Sequence, residues 1–325
     1  MSLGLSPLEA EMLADSPLVK SLSPDTINRL DTFAGPQWIG ADQLWTGSTG
    51  LADARGEGII VGVIDSGINW DHPSFASPSI DGYTFTNPLG NYLGLCNDFE
   101  SGAQCNNKLI GIYDFVEDDP ATESIVEFNN GKDDDGHGSH TAGIAVGNPV
   151  STFYNGYNVT PSGVAPRANL ITYRVCFIGD PADPDSGGCA TSAILAAIDQ
   201  AVADGVDAIN YSIGSSGRAG DPWRLDSIPR AFLNARDAGI FVATSAGNSG
   251  PDEGTISSPA HAPWIVSVGM STHGTTFGSV LKDLTGGATE PPGDMVGASE
   301  TAGVGQRKIV HARDFGFPLC GTGQA

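Results

Sequence analysis

An α/β fold, with a doubly wound and mostly parallel sheet flanked by helices, is predicted by three features of the 325-residue sequence. Short β-branched apolar runs recur, helix-period segments separate them, and polar residues cluster where the runs end. The runs are Ile59–Ile64, Leu170–Val175, Ala208–Ile213, Ile240–Thr244 and Ile265–Val268. Near-continuous apolarity of this kind predicts parallel strands buried on both faces.

The helix-period segments are Ser139–Val146, Ala190–Ala203 and Ile228–Ala238. In the second, Ile194, Ala197, Ile198 and Ala201 fall on one face, and Gly205 follows as a stop. Strands alternating with helices imply βαβ units, in which sites form at the carboxyl ends of the strands. Asp65, Ser212-Ile213-Gly214 and Asn248 stand at such ends, and His137 stands just before a helix. Beyond Gly274 the pattern loosens into Gly, Pro and Thr and reads as a surface connection.

Composition narrows the partners. About 40% of residues are hydrophobic, enough for a sizeable core, and Lys+Arg 15 against Asp+Glu 38 gives a net charge of −23. Such a surface repels nucleic acid and anionic membranes, so neither is expected as a partner. No run of about 18 apolar residues occurs, so no membrane-spanning helix is expected. The opening MSLGLSPLEAEML lacks the charged start and apolar core of a signal peptide.

The cysteines nevertheless point to an oxidising compartment. Cys96 and Cys105 flank one loop, and Cys176 and Cys189 flank another. Neither pair has C-x-x-C spacing, so each reads as a loop-closing disulfide rather than a metal site. Cys320 is left over.

Chemistry concentrates in Asp135-Gly136-His137-Gly138-Ser139-His140-Thr141-Ala142-Gly143. Two histidines one helical turn apart could share a metal, but no glutamate lies between them as in a zinc peptidase helix. Asp133, Asp134 and Asp135 offer hard oxygen atoms for calcium, yet lack the spaced ligands of a calcium loop and read as a solvated face. No cofactor is therefore expected, and calcium has no supporting motif. The alternative is a base with its orienting acid: His137 beside Asp65, which would fix the imidazole tautomer. Asn248, in the small-residue turn SAGNSG, could donate its amide to a developing oxyanion.

GIIVGVIDSGINWDHPSF (58–75), DGHGSHTAGIAVG (135–147), GVAPRANLITYRVC (163–176), INYSIG (209–214) and ATSAGNSGP (243–251) together resemble the subtilisin-like serine proteases, or subtilases. The resemblance implies a serine endopeptidase with Asp65 as triad acid, His137 as base and Asn248 as oxyanion donor. It makes His140 a noncatalytic scaffold residue. Ser212, Ile213 and Gly214 would pair with substrate backbone, and Thr244, Ser245, Ala246 and Gly247 would line a wall of the pocket. The expected partners are a peptide or protein substrate and the protein's own prodomain, and the expected location is secreted, extracellular or periplasmic.

By the same likeness, residues 1–31 read as the C-terminal tail of a prodomain and 32–285 as the N-terminal part of the catalytic domain. Residues 286–325 read as a connection into a protease-associated domain. Both cysteine pairs and CNNKLIGIYDF (105–115) are similar to the plant cucumisin-type group. The family's serine sits in G-T-S-x-A-x-P, and that motif is not in these 325 residues. Two readings follow: a portion of a secreted endopeptidase, incomplete at its C-terminus and inactive alone, or a short noncatalytic relative that binds extended peptides. Asn158-Val159-Thr160 is a glycosylation sequon.

Overall fold

The computed structural model describes residues 35–48, 50, 53–116, 130–154, 157–178, 187–215, 227–271, 278–281 and 295–298. Two short helices, α1 (Gly35–Trp38) and α2 (Ala41–Trp45), precede the first strand, β1 (Ile60–Asp65). There follow β2 (Leu93–Gly94), β3 (Leu109–Asp114), helix α3 (His137–Val146), β4 (Thr152–Tyr154), β5 (Tyr157–Val159) and β6 (Asn169–Arg174). Next come β7 (Cys176–Phe177), β8 (Gly188–Cys189), α4 (Thr191–Asp204), β9 (Ala208–Tyr211), α5 (Ser227–Asp237), β10 (Phe241–Ser245) and β11 (Val266–Val268). A pair of strands, β12 (Gly278–Leu281) and β13 (Met295–Ala298), comes last.

Seven strands form one sheet in the order β11-β10-β9-β1-β6-β3-β2, and every neighbouring pair is parallel. Strand β1 is its pivot, pairing with β6 on one side and β9 on the other. All six β1 residues are buried, and successive side chains go to opposite faces, as the two-residue period of a strand requires. Ile60 and Ile64 join Ile194, Ala197, Ile198 and Ala201 of α4 and Phe232 of α5 in one core. Val61 and Val63 join Ala142 and Val146 of α3 in the other. Helices thus cover both faces, which is what a doubly wound sheet needs to bury its strands.

The predicted stop after α4 is real: Gly205 adopts φ 70° and its N–H reaches the carbonyls of Ala201 and Val202. Three expectations need correction. Strand β11 is not buried on both faces: Val266 is 45% and Val268 54% exposed, because β11 is the outer strand of the sheet. The strand over Ala208–Ile213 ends at Tyr211, so Ser212–Gly214 leave the ladder. The region past Gly274 holds an antiparallel pair, β12 with β13, where only a surface connection was expected.

Both expected disulfides are formed, Cys96 with Cys105 and Cys176 with Cys189, the latter tying β7 directly to β8. Cys320, residues 1–31 and most of 286–325 lie outside the described residues. Among the described residues no helix is long and apolar enough to cross a membrane.

Lys108, just before β3, is fully buried. Its Nζ donates to the carbonyls of Pro166 and Ala168, each at 3.0 Å, and sits 4.5 Å from the centre of the Phe85 ring. Burial lowers its pKa to about 7. Between that value and the ordinary lysine range the unfolded chain holds a proton that the folded chain has lost. Folding stability due to this group therefore rises with pH across that window, by about 1.4 kcal/mol per unit. Urea titrations at pH 7 and pH 9.5 should show wild type gaining on Lys108→Met as pH rises. A difference that stays flat would mean that the buried amine keeps an ordinary pKa.

Candidate active site

The parallel register brings the expected residues to one edge of the sheet. Asp65 is opposite Arg174 across β1 and β6, Ile64 is opposite Tyr211, and Tyr211 is opposite Thr244. Neighbouring strands β1 and β9 lie where the chain changes direction through the sheet, the crevice that open α/β folds use for ligands.

Asp65 is 1% exposed, and its Oδ1 accepts from the Ser66 N–H at 2.7 Å. The same oxygen lies 2.7 Å from His137 Nδ1. Its Oδ2 accepts from Thr141 Oγ1 at 3.2 Å. A carboxylate can only accept, so neutral His137 carries its proton on Nδ1 and presents Nε2 as an acceptor. The hydrogen bond from His137 to Asp65 raises the histidine pKa; burial opposes this, and the charges of Asp65, Asp135 and Asp133 add to it. The His137 side chain is 48% exposed, so the ring edge is open to a reacting group.

His137 opens α3, whose N-terminal N–H groups need partners. The residue before it, Gly136, has φ 95° and no side chain to cap the helix. Asp133 supplies the cap: its carboxylate accepts from the N–H groups of Gly136 at 2.8 Å and Ser139 at 2.7 Å, and from Ser139 Oγ at 2.6 Å. Ser66 completes it, accepting from Gly138 N–H at 2.8 Å and donating to Asp133 at 2.9 Å. Burial works against the Asp133 charge, but these hydrogen bonds hold its carboxyl below the usual range. Asp133 is 5% exposed, which overturns the reading of the three aspartates as a solvated face.

The helix must approach the turn after β1 very closely for this. A Cβ on Gly138 would fall 2.4 Å from the Gly67 carbonyl oxygen, and one on Gly67 2.8 Å from that of Gly131. Glycine is the only residue that fits at either place, which explains the D-S-G and H-G-S-H spellings.

The two histidines face different spaces. His137 borders a cavity of about 250 Å³ together with Asp65, Asp134, Arg174, Ser212 and Ile213. His140 borders a separate cavity of about 390 Å³, with His72 and Asn148. Burial lowers the His140 pKa, and the charge of His137 lowers it further. Among the described residues no group of three His, Cys, Asp or Glu side chains converges to hold a metal.

Of the other expected residues, Ser212 and Ile213 reach the dyad's cavity, while Gly214, Thr244–Gly247 and Asn248 do not line it. Gly214 and Gly247 instead flank the buried hydroxyl of Ser257, which brings the two segments together one strand further along. Thr244 is buried, Ser245 and Ala246 are half-buried, and Gly247 and Asn248 are exposed.

Residues 56–306 match the family model described as the subtilase family. The chain belongs to the subtilase family. Among curated subtilases it is 35% identical over 334 residues to subtilisin-like protease SBT1.4 of Arabidopsis thaliana, covering 98% of this chain and 40% of that one. It is 36% identical over 290 residues to subtilisin-like protease SBT1.5 of the same plant, covering 86% and 35%. Against subtilisin-like protease SBT2.6, also from Arabidopsis thaliana, identity is 38% over 280 residues, covering 81% and 32%. The chain thus spans 40% or less of the length of these subtilases.

Ser66, Thr141, Asp133 and Arg174 hold this subtilase site in shape; sequence reasoning gave no role to Ser66, Thr141 or Arg174 and weighed Asp133 only as a calcium ligand or a solvated residue. Arg174 is 2% exposed; its Nη1 donates to Asp114 at 2.9 Å, and its Nη2 lies 3.6 Å from Asp134. Asp114 also accepts from Gly131 N–H, so the pair fixes the start of the loop that leads to His137.

Proposed function

We propose that this chain carries the acid, base and oxyanion donor of a secreted serine endopeptidase. The observation that carries the reading is the 2.7 Å contact between His137 Nδ1 and the buried Asp65, in a cavity shared with Ser212 and Ile213. Nε2 of His137 would take the proton of a serine hydroxyl as it attacks the peptide carbonyl, and would return it to the leaving amine. Asp65 would stabilise the imidazolium so formed. Asn248 would donate to the oxyanion, and Ser212–Gly214, with Thr244–Gly247 alongside, would hold an extended peptide.

The serine itself belongs to G-T-S-x-A-x-P, absent from these 325 residues. The 325-residue chain is therefore expected to be inactive alone and to take up no serine-directed fluorophosphonate. Stoichiometric labelling, located by peptide mass mapping, would show that one of its own serines is the nucleophile. Two disulfides suit an oxidising compartment, which supports secretion. The cysteine pairs and CNNKLIGIYDF support the cucumisin-type group, with residues 1–31 as the tail of a prodomain partner. On the same reading, 32–285 belong to the catalytic domain and 286–325 lead into a protease-associated domain.

A further inference from the structure

The cavity beside His137 has two unlike kinds of lining. Phe177, Ile178 and Ile213 are apolar, and Ile178 is 45% exposed. Asp134 and Asp135 are acidic. These two carboxylates are not equivalent. Asp134 lies against Arg174, whose charge Asp114 already shares. Asp135 is exposed, and its Oδ1 accepts from the His137 N–H at 3.1 Å. A carboxylate has room for about four such bonds, so it can take further donors.

The lining holds three carboxylates, Asp65, Asp134 and Asp135, against the single guanidinium of Arg174, which Asp114 also shares, so the cavity carries excess negative charge and Asp135 is its exposed carboxylate. The space, about 250 Å³, is of a size to take one long side chain. An aliphatic stem for the apolar lining and a cationic head for the acidic lining is the chemistry of lysine and arginine, which lay their methylenes on apolar surface and keep the charge at a polar rim. The net charge of −23 acts in the same direction, drawing cationic peptides toward the molecule.

We propose that this cavity is a subsite for a lysine or arginine side chain of the peptide laid along Ser212–Gly214, and that Asp135 is the charge it meets. The assignment rests on the peptide-binding reading of the site and deepens it by naming the substrate class: extended peptides with a basic residue beside the scissile bond.

The test uses the 325-residue chain and fluorescein-labelled hexapeptides, with binding read by anisotropy. One lysine is walked through four successive positions of an otherwise neutral peptide, and norleucine and glutamate replace it in turn. At one position lysine should bind roughly tenfold more tightly than norleucine, and 0.5 M salt should erode the preference. In Asp135→Asn the ratio should collapse to about one, and Asp135→Glu should restore most of it. Circular dichroism and a urea midpoint establish that both variants are folded. Peptides that bind with no preference at any position overturn the basic subsite and leave peptide binding intact. A preference that survives in Asp135→Asn overturns the role of Asp135. Failure of every peptide to bind overturns the peptide-binding reading, and the subsite with it.

Discussion

Asp65→Asn is expected to lower the titration midpoint of His137 and, in a form of the protein that carries the family's serine, to cut kcat by about 10⁴-fold. The reason is electrostatic and tautomeric together. Asp65 Oδ1 sits 2.7 Å from Nδ1, with Thr141 and the Ser66 N–H holding the carboxylate still. An amide keeps the shape but gives up the negative charge, and its NH₂ face would push the ring proton to the wrong nitrogen. The linkage has a definite sign. A histidine whose folded pKa is raised adds stability below its unfolded pKa, and that stability is lost as pH rises through the folded value. The variant should therefore lose more stability in mild acid than at pH 8. An NMR titration of the histidine Cε1–H signals checks the first part in the chain as it stands. A midpoint for His137 that does not move in the variant would sink the account.

Arg174→Met should destabilise the fold by about 3–5 kcal/mol, since it leaves a buried carboxylate without its partner. Arg174 and Asp114 are each only 2% exposed, so water cannot take over the missing charge. Asp114 keeps the N–H groups of Val116 and Gly131, but these dipoles do not replace a guanidinium. The double variant Arg174→Met/Asp114→Asn should recover part of the loss, because the amide oxygen can still accept from a backbone N–H while no buried charge is left unpaired. Urea unfolding of the two single variants and the double variant gives the coupling energy. A single-variant loss under about 1 kcal/mol would mean that the buried pair is not the tie between β6, β3 and the loop before His137.

How far the sequence could be read depended on whether a residue's role is local. The helix over Thr191–Asp204 was legible because Ile194, Ala197, Ile198 and Ala201 repeat at the helical period and all meet one face of the sheet. Strand β3 was not read as a strand, although Leu109, Ile110 and Ile112 are fully buried. Gly111 interrupts its apolar run, and only the neighbouring strands show why: a Cβ there would lie 2.9 Å from Ile171. The pairing of Asp65 with His137 came from matched motifs, since no periodicity relates residues 72 positions apart. Asp133 was misread for a physical reason. Three acids in a row look solvated until it is known that a helix starts just after them, behind a glycine that offers no side chain to cap it. Asn248 and Thr244–Gly247 could be placed near a strand end from sequence, but the meeting of Gly247 with Gly214 around Ser257 depends on strand order and could not.

The central position of β1 has a consequence for how the molecule is made. Ile60 donates its N–H to the Asp207 carboxylate, 147 residues away, and its strand neighbours begin at Asn169 and Ala208. A chain synthesised from its N-terminus thus produces this fully buried strand long before either partner exists. Contacts this distant form slowly, since each closes a long loop before anything is gained. Until residue 174 has been made β1 lacks its β6 neighbour, and until residue 211 it lacks β9. Asp65 and His137, joined across 72 positions, therefore depend for their seating on segments of chain made after both of them.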